Sequence, residues 1–289
     1  MFKTRKFRFK NRELVFDGIP KIMGILNVTP DSFSDGGKYN CLEPALKYGL
    51  EMLADGADII DVGGESTRPG AEDLSPEREL GRILPVIESL RKEAPDCIIS
   101  VDTRKSEVAK AAVEAGADII NDVSGLQYSE EMAEAAVETG AGLILMHMRG
   151  TPESMQNEEN LRYDDLIKDI KGFLSEIGLK AEKNGVNRES IMVDPGIGFS
   201  KTVEQNLEII GKIREFEDLP YPLLVGPSRK SFIGKVLGEE DPGERKWGTA
   251  GVLGWLAMEE VDLVRVHDIK ATKQVIKMFC ACKKYSGIS

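Results

Sequence analysis

Two histidines and four cysteines in 289 residues leave little material for metal or disulfide chemistry. Two His cannot form a His-rich centre. Cys41, Cys97, Cys280 and Cys282 are too few and too scattered to build a disulfide framework at this length. Cys280 and Cys282 stand alone at the far end, so no zinc site is expected, and all four read as reduced thiols of a cytoplasmic protein. Positive charge is in deficit: 38 Lys and Arg against 49 Asp and Glu give −11. That balance excludes broad nucleic-acid binding, which needs a cationic surplus. No apolar run approaches a membrane span, and the basic stretch 1–10 has no apolar segment behind it, so neither a membrane role nor a secretory signal is expected. Low-complexity segments and obvious linkers are also missing.

What is present is a soluble, globular composition, 41% apolar and 30% charged. The length suits two small domains or one large α/β barrel. Residues 1–20 read as a β-hairpin, with Phe7-Arg8-Phe9 and Leu14-Val15-Phe16 on either side of a turn at Lys10-Asn11-Arg12. Beyond it, eight short Ile- and Val-rich runs recur: 22–26, 59–62, 98–101, 119–123, 143–146, 191–193, 223–225 and 263–266. Runs apolar on both faces suit parallel strands covered by helices. Helical spacing fills the intervals 43–54, 76–94, 105–115, 130–139, 163–184, 203–216, 244–259 and 269–282. Eight strand–helix units are the pattern of a (β/α)8 TIM barrel, here with an N-terminal hairpin and a single domain over 21–289.

An internal echo agrees. Leu53-Ala54-Asp55-Gly56-Ala57-Asp58-Ile59-Ile60 is matched by Val113-Glu114-Ala115-Gly116-Ala117-Asp118-Ile119-Ile120, and more loosely by Val137-Glu138-Thr139-Gly140-Ala141-Gly142. Each Gly falls where a helix must stop before a buried strand. A doubly wound open sheet is the competing fold, disfavoured by the eight runs and by the lack of an early G-x-G-x-x-G fingerprint.

Functional residues of such barrels lie at the carboxyl ends of strands, and here those ends are polar. Asn27 opens a run to Gly37. Gly63-Gly64-Glu65-Ser66-Thr67-Arg68-Pro69-Gly70, Asp102-Thr103-Arg104, Asn121-Asp122, His147-Met148-Arg149 and Asp194-Pro195-Gly196-Ile197-Gly198-Phe199 follow. Gly226-Pro227-Ser228-Arg229-Lys230-Ser231 and His267-Asp268 complete the set. Eight strands aiming polar side chains into one mouth favour an enzyme or a small-ligand site.

These motifs carry a specific resemblance. Met23 to Gly37, Asp61 to Gly70, Ser100-Val101-Asp102-Thr103, Ile120 to Gly125, Asp194 to Phe199, Ser228 to Ser231 and Arg265-Val266-His267-Asp268 resemble, in order over about 20–270, the dihydropteroate synthases. That resemblance implies a (β/α)8 barrel joining 6-hydroxymethyl-7,8-dihydropterin diphosphate to para-aminobenzoate with release of diphosphate. It assigns Asp102, Asn121, Met146, Asp194, Phe199 and Lys230 to the pterin. Carboxylates and a carboxamide suit the ring's donor-rich edge, whereas Met146 and Phe199 would contact its face. Phe33, Ser66, Thr67, Arg68, Pro69 and Ser231 fall to para-aminobenzoate. Asn27, Thr67, Arg265 and His267 fall to the diphosphate, with Asn27 also on Mg2+, which needs few protein ligands. Asp102, Lys230, Arg265, His267 and Asp35 would carry the chemistry, by a dissociative route in which the departing diphosphate is stabilised first.

A lone strand-end Asp more often caps the next helix, but two with an Asn between them, inside matched motifs, favour a site. Arg265 and His267 alternate and so share a strand face, whereas His147 reads as a structural residue. Relatives often carry Gln where Arg149 stands, which leaves its role open. A mobile composition in 28–38 suggests closure over the diphosphate. Two other readings compete: a methyltetrahydrofolate-binding methyltransferase barrel and a pterin-binding protein without catalysis. The resemblance further implies a homodimer and competition by sulfonamide-type analogues.

Overall fold

The computed structural model describes residues 4–29, 42–65 and 74–285. The first two strands, β1 (Arg5–Phe9) and β2 (Arg12–Phe16), form an antiparallel hairpin. Eight parallel strands follow: β3 (Lys21–Asn27), β4 (Ile59–Gly63), β5 (Ile98–Asp102), β6 (Ile119–Asp122), β7 (Gly142–Met146), β8 (Ile191–Asp194), β9 (Leu224–Val225) and β10 (Leu263–Val266). Their order, β8-β7-β6-β5-β4-β3-β10-β9, is that of a barrel, completed between β8 and β9 by one parallel bridge, Val193 to Leu223.

Helices α1 (Leu42–Asp55), α2 (Pro76–Glu93), α3 (Ser106–Glu114), α4 (Met132–Thr139), α5 (Leu166–Lys183) and α6 (Val203–Gly211) each follow a strand. After β9 come two, α7 (Ser231–Leu237) and α8 (Lys246–Met258); α9 (Ile269–Lys283) ends the described chain. The expected helix 203–216 is shorter in α form, its end continuing as a 3-10 turn over Ile213–Asp218. The glycines of the repeated helix–strand junction, Gly56, Gly116 and Gly140, all have positive φ. At Gly140 (φ 68°) this is the left-handed cap that ends α4.

Strand side chains alternate between two environments. One parity, including Leu26, Ile60, Val62, Ile99, Val101, Leu143, Leu145 and Val264, packs against the surrounding helices. The other faces the barrel axis. Its lower layer, Met23, Ile59, Ile98, Ile119, Ile144, Met192, Leu224 and Leu263, forms one cluster with Phe7, Phe9 and Phe16 of the hairpin. A Cβ on Gly142 would lie 2.6 Å from the Phe7 ring, so β7 begins with the residue that admits it. The hairpin is thus an apolar floor under the barrel. It is held at its edges by Arg5 to Asp262 (2.8 Å) and by Arg12 to the carbonyls of Asp96 and Cys97.

Candidate active site

Above that floor the inward parity turns polar. Asp61 on β4, Ser100 and Asp102 on β5, Asn121 on β6, Asp194 on β8 and Arg265 on β10 occupy it. Asp61 pairs in register with Ser100, and Asp102 with Asn121. Their hydrogen bonds skip over intervening strands, which only inward-facing side chains can do. Asn121 Nδ2 donates to Asp61 Oδ2 at 3.1 Å across β5. Arg265 Nε donates to the same oxygen at 2.6 Å, and its Nη2 to Asp102 Oδ2 at 2.5 Å. Arg265 thus braces two carboxylates from across β3 and β4. Asp61 Oδ1, Asp102 Oδ1 and Ser100 Oγ are buried and make no hydrogen bond among the described residues. Orphaned acceptors of this kind are costly unless a ligand donates to them.

Burial pushes the Asp102 carboxyl up to about 7, outweighing the downward pull of Arg265, and Asp61 adds to the push. Burial likewise raises the Asp194 carboxyl, against the Gly196 N–H that donates to its Oδ1 at 2.7 Å and against the charge of Lys230. Lys230, just ahead of α7, is lowered by burial to about 7 despite the nearby Asp194. Its ammonium sits 3.9 Å from the centre of the Phe199 ring and donates to the Ile197 carbonyl at 2.5 Å. Gly198 makes this approach possible: its φ is +83°, and a Cβ there would fall 2.4 Å from Lys230 Cδ. Phe199 joins Val123, Met146, Met148 and Met155 in a small apolar shelf beside these charges. The arrangement can accept several N–H donors from a flat polar ring whose face rests on the shelf.

At the mouth, Asn27 Oδ1 and the Asp102 side chain border Gly63, within 3.7 and 3.5 Å of where its Cβ would be. His267 Nδ1 is 2.9 Å from Ser228 Oγ, which also accepts from the His267 backbone N–H at 3.2 Å. Ser231 is the exposed first residue of α7. Phe33, Asp35, Ser66, Thr67, Arg68 and Pro69 lie outside the described residues, as does most of 28–38. His147 is buried elsewhere. Burial lowers its imidazole to about 2, Lys201 Nζ lies 3.0 Å from its Nδ1, and Phe173 meets it edge-on at 4.9 Å. Arg149 lies over the Tyr163 ring and near Asp169, outside the carboxylate set.

Sequence reasoning assigned no role to Asp61 or Ser100. Each is a polar residue in the middle of an apolar run, at the same parity as the strand-end Gly63 or Asp102. That alternation was the signal available.

A buried set of acceptors at the carboxyl end of a TIM barrel is the arrangement of an enzyme that takes a small polar molecule. A family model described as "Pterin binding enzyme" matches residues 23–267. The chain belongs to that family. It is 49% identical over 257 residues to a dihydropteroate synthase of Synechocystis sp., covering 89% of this chain and 88% of the relative. It is 47% identical over 286 residues to that of Bacillus subtilis, covering 99% and 96%. Among solved structures, Xanthomonas albilineans dihydropteroate synthase with 4-aminobenzoic acid superimposes with a TM-score of 0.89 at 38% identity, covering 97% of this chain and 99% of that one.

Proposed function

We propose that the protein is a dihydropteroate synthase, a transferase that condenses 6-hydroxymethyl-7,8-dihydropterin diphosphate with para-aminobenzoate to give 7,8-dihydropteroate and diphosphate. The observation that carries this reading is the cross-barrel set Asp61–Asn121–Arg265–Asp102, with its orphaned carboxylate oxygens facing inward. In this reading Asp102 and Asp194 accept the ring's N–H groups, Asn121 accepts and donates at the adjacent edge, and Lys230 donates to a ring acceptor. Met146 and Phe199 support the ring's face. Arg265 gives two N–H groups to carboxylates and keeps others for the diphosphate, with His267 beside it. Phe33, Ser66, Thr67, Arg68, Pro69 and Ser231 are assigned to para-aminobenzoate, and Asp35 is assigned, with Asp102, to stabilising positive charge on the pterin methylene.

The C–O bond to diphosphate breaks, the arylamine nitrogen bonds to the methylene carbon, and that nitrogen releases one proton. Near neutral pH the amine is already unprotonated, so no strong base is needed. The buried carboxylates favour positive charge on the pterin methylene as diphosphate departs with the C–O electron pair. Mg2+ fits the donors at the mouth: the Asn27 carboxamide supplies one hard oxygen, and such an ion takes its other ligands from water and phosphate. When bound it would neutralise charge on the leaving diphosphate.

The barrel, 21–289, carries the whole reaction, and the hairpin, 1–20, serves as its floor. A homodimer is part of the proposal, supported by exposed apolar residues on the neighbouring helices α7, α8 and α9: Val236, Leu237, Trp247, Trp255, Met278 and Phe279. A monomer mass by light scattering at micromolar concentration would remove it. No helix among the described residues is long and apolar enough to cross a membrane. We place the protein in the cytoplasm, where thiols such as Cys97 stay reduced. The decisive assay mixes the protein with dihydropterin diphosphate, para-aminobenzoate and Mg2+. Formation of dihydropteroate, inhibited competitively by a sulfonamide, is expected; no product beside an active control enzyme refutes the assignment.

A further inference from the structure

Two buried basic side chains at the exits of β7 and β8 have no part in the reaction as described. His147 follows β7, and Lys201 stands just ahead of α6; they are 1% and 4% exposed. Lys201 Nζ lies 3.0 Å from His147 Nδ1 and donates to the Phe199 carbonyl at 2.9 Å. Its partners are thus an imidazole and a carbonyl, not a carboxylate. Burial lowers the amine well below its ordinary value, against the pull of Asp194. The turn it closes, 195–200, is tied along its length. Gly198 N–H donates to Asn206 Oδ1 on α6 at 2.6 Å, and Phe199 N–H to the Gly196 carbonyl at 3.1 Å. Ser200, fully buried at φ 49°, accepts from the Arg149 N–H at 2.8 Å and donates to the Arg149 carbonyl at 2.7 Å. The turn is also pressed onto the pair: a Cβ on Gly196, at φ +71°, would fall 2.0 Å from the His147 carbonyl oxygen and 3.3 Å from Lys201 Nζ. Two lysines therefore hold alternate carbonyls of one turn, Lys230 that of Ile197 and Lys201 that of Phe199.

We propose that Lys201 is a positioning residue for the pterin half of the reaction. Its amine pins the Phe199 peptide to His147 at the exit of the neighbouring strand, and so sets the ring against which Lys230 lies. This role rests on the reading that Asp194, Phe199 and Lys230 hold the pterin. Lys201 acts through Phe199 and is not itself assigned to substrate. Without the amine, the Phe199 carbonyl and His147 Nδ1 each lose a buried partner. The turn then has reason to shift, and Phe199 and the Lys230 ammonium shift with it, because Gly198 is in contact with the Lys230 stem. The groups assigned to para-aminobenzoate have no contact with Lys201 among the described residues.

The test uses the full chain with Lys201→Met, His147→Leu and Ser200→Ala. Lys201→Met keeps an unbranched stem and removes the donors. It is expected to raise KM for dihydropterin diphosphate, and Kd for 6-hydroxymethyl-7,8-dihydropterin, about tenfold, with KM for para-aminobenzoate moving less than about twofold. His147→Leu removes the amine's second anchor and should move the pterin values the same way, about threefold. It decides the matter alone if Lys201→Met does not fold. Ser200→Ala loosens the same two exits but leaves Lys201 on Phe199, so its ratio of the two KM values should stay within about twofold of the wild type. Equal changes in both KM values, no change in either, or a Ser200→Ala variant that matches Lys201→Met would overturn the proposal. A wild type that neither binds the pterin nor forms product fails the dihydropteroate synthase reading on its own. Hydrogen exchange over 196–200 then decides the positioning role: it should accelerate in Lys201→Met, and unaltered protection overturns it.

Discussion

Replacing Asp61 by Asn changes one charge and almost no volume. In the protein Asp61 Oδ2 accepts both from Arg265 Nε (2.6 Å) and from Asn121 Nδ2 (3.1 Å), while Oδ1 has no partner among the described residues. The introduced carboxamide can turn its oxygen toward the two donors and its NH2 toward the position of Oδ1, so no clash is imposed. What is lost is the ionic acceptor: the bond from Asn121 becomes neutral, whereas that from Arg265 keeps its charged donor. A bond to a charged group contributes about 1.5–3 kcal/mol and a neutral one about 0.5–1.5, so the direct loss is about 1–1.5 kcal/mol at Asn121 with a smaller loss at Arg265, about 1–2 kcal/mol together. Two effects oppose it: a buried charge no longer needs desolvation, and Arg265 keeps Asp102 as its counter-ion. The unliganded protein should therefore melt within about 5 °C of the wild type.

Ligand binding should respond more. Asn121 is the pterin-facing group that Asp61 orients, and misplacing it should weaken binding of 6-hydroxymethyl-7,8-dihydropterin about tenfold, the equivalent of about 1–2 kcal/mol. The like charge that adds to the upward push on Asp102 also disappears, so the pH midpoint of binding should move down. Calorimetric titration between about pH 5 and pH 9, beside a melting curve, measures all three quantities. Affinity within about twofold of wild type, with an unmoved midpoint, would show that Asp61 orients nothing; parallel collapse of stability and affinity would make it a structural residue only.

Lys230 offers a pH test with a definite sign. Its folded pKa, about 7, lies below the ordinary 10.5, so the stability it contributes is present above about 10.5 and lost as pH falls through about 7. Lys230→Met should accordingly raise the melting temperature of the unliganded protein most near pH 7, with the difference closing toward about pH 10; a pH-independent difference would contradict the burial argument. Gly198→Ala should displace the Lys230 stem, because its Cβ has only 2.4 Å to Cδ and the backbone is at φ +83°. Pterin affinity by calorimetry should drop about tenfold or more, and wild-type affinity would mean that Lys230 is not held where the pterin lies.

Much of the barrel was legible because parity and turns agreed along the chain. Ile59-Ile60-Asp61-Val62 and Ile98-Ile99-Ser100-Val101 read as strands from their apolar content, and the repeated Gly before β4, β6 and β7 marked where three helices stop. Helix α7 was not legible: seven residues, Ser231–Leu237, give too little periodicity to separate them from the polar exit of β9, and only Gly238, left-handed at φ 74°, marks their end. Asp102, Asn121, Asp194 and Lys230 could be singled out as strand-end polar residues. Asp61 was hidden by the run around it, although its parity put it on the inner wall. The Lys201–His147 contact was out of reach for a different reason. The two residues are 54 positions apart, and only the pairing of β7 with β8 brings their exits together.

The vertical order of the barrel interior also decides how a substrate must enter. Beneath is a dry layer sealed by Phe7, Phe9 and Phe16, which offers nothing to a polar ligand. Above it stand Asp61, Asp102 and Asp194, an excess of acceptors over the cations Arg265 and Lys230, and two of their oxygens lack donors among the described residues. An anionic group driven to this depth would meet like charge in a poorly solvated place, whereas a neutral ring edged with N–H donors satisfies it. A molecule carrying such a ring at one end and phosphate at the other can therefore enter in one direction only, ring first, leaving its anionic end at the mouth with His267 and the outer N–H groups of Arg265. In the proposed arrangement the bond to be broken would lie between the carboxylates below and the N–H donors above, so that charge developing on the ring side and on the leaving group would each meet a complementary group. The acidic balance of the chain is no obstacle to an anionic substrate, because binding depends on this local gradient and not on the net charge.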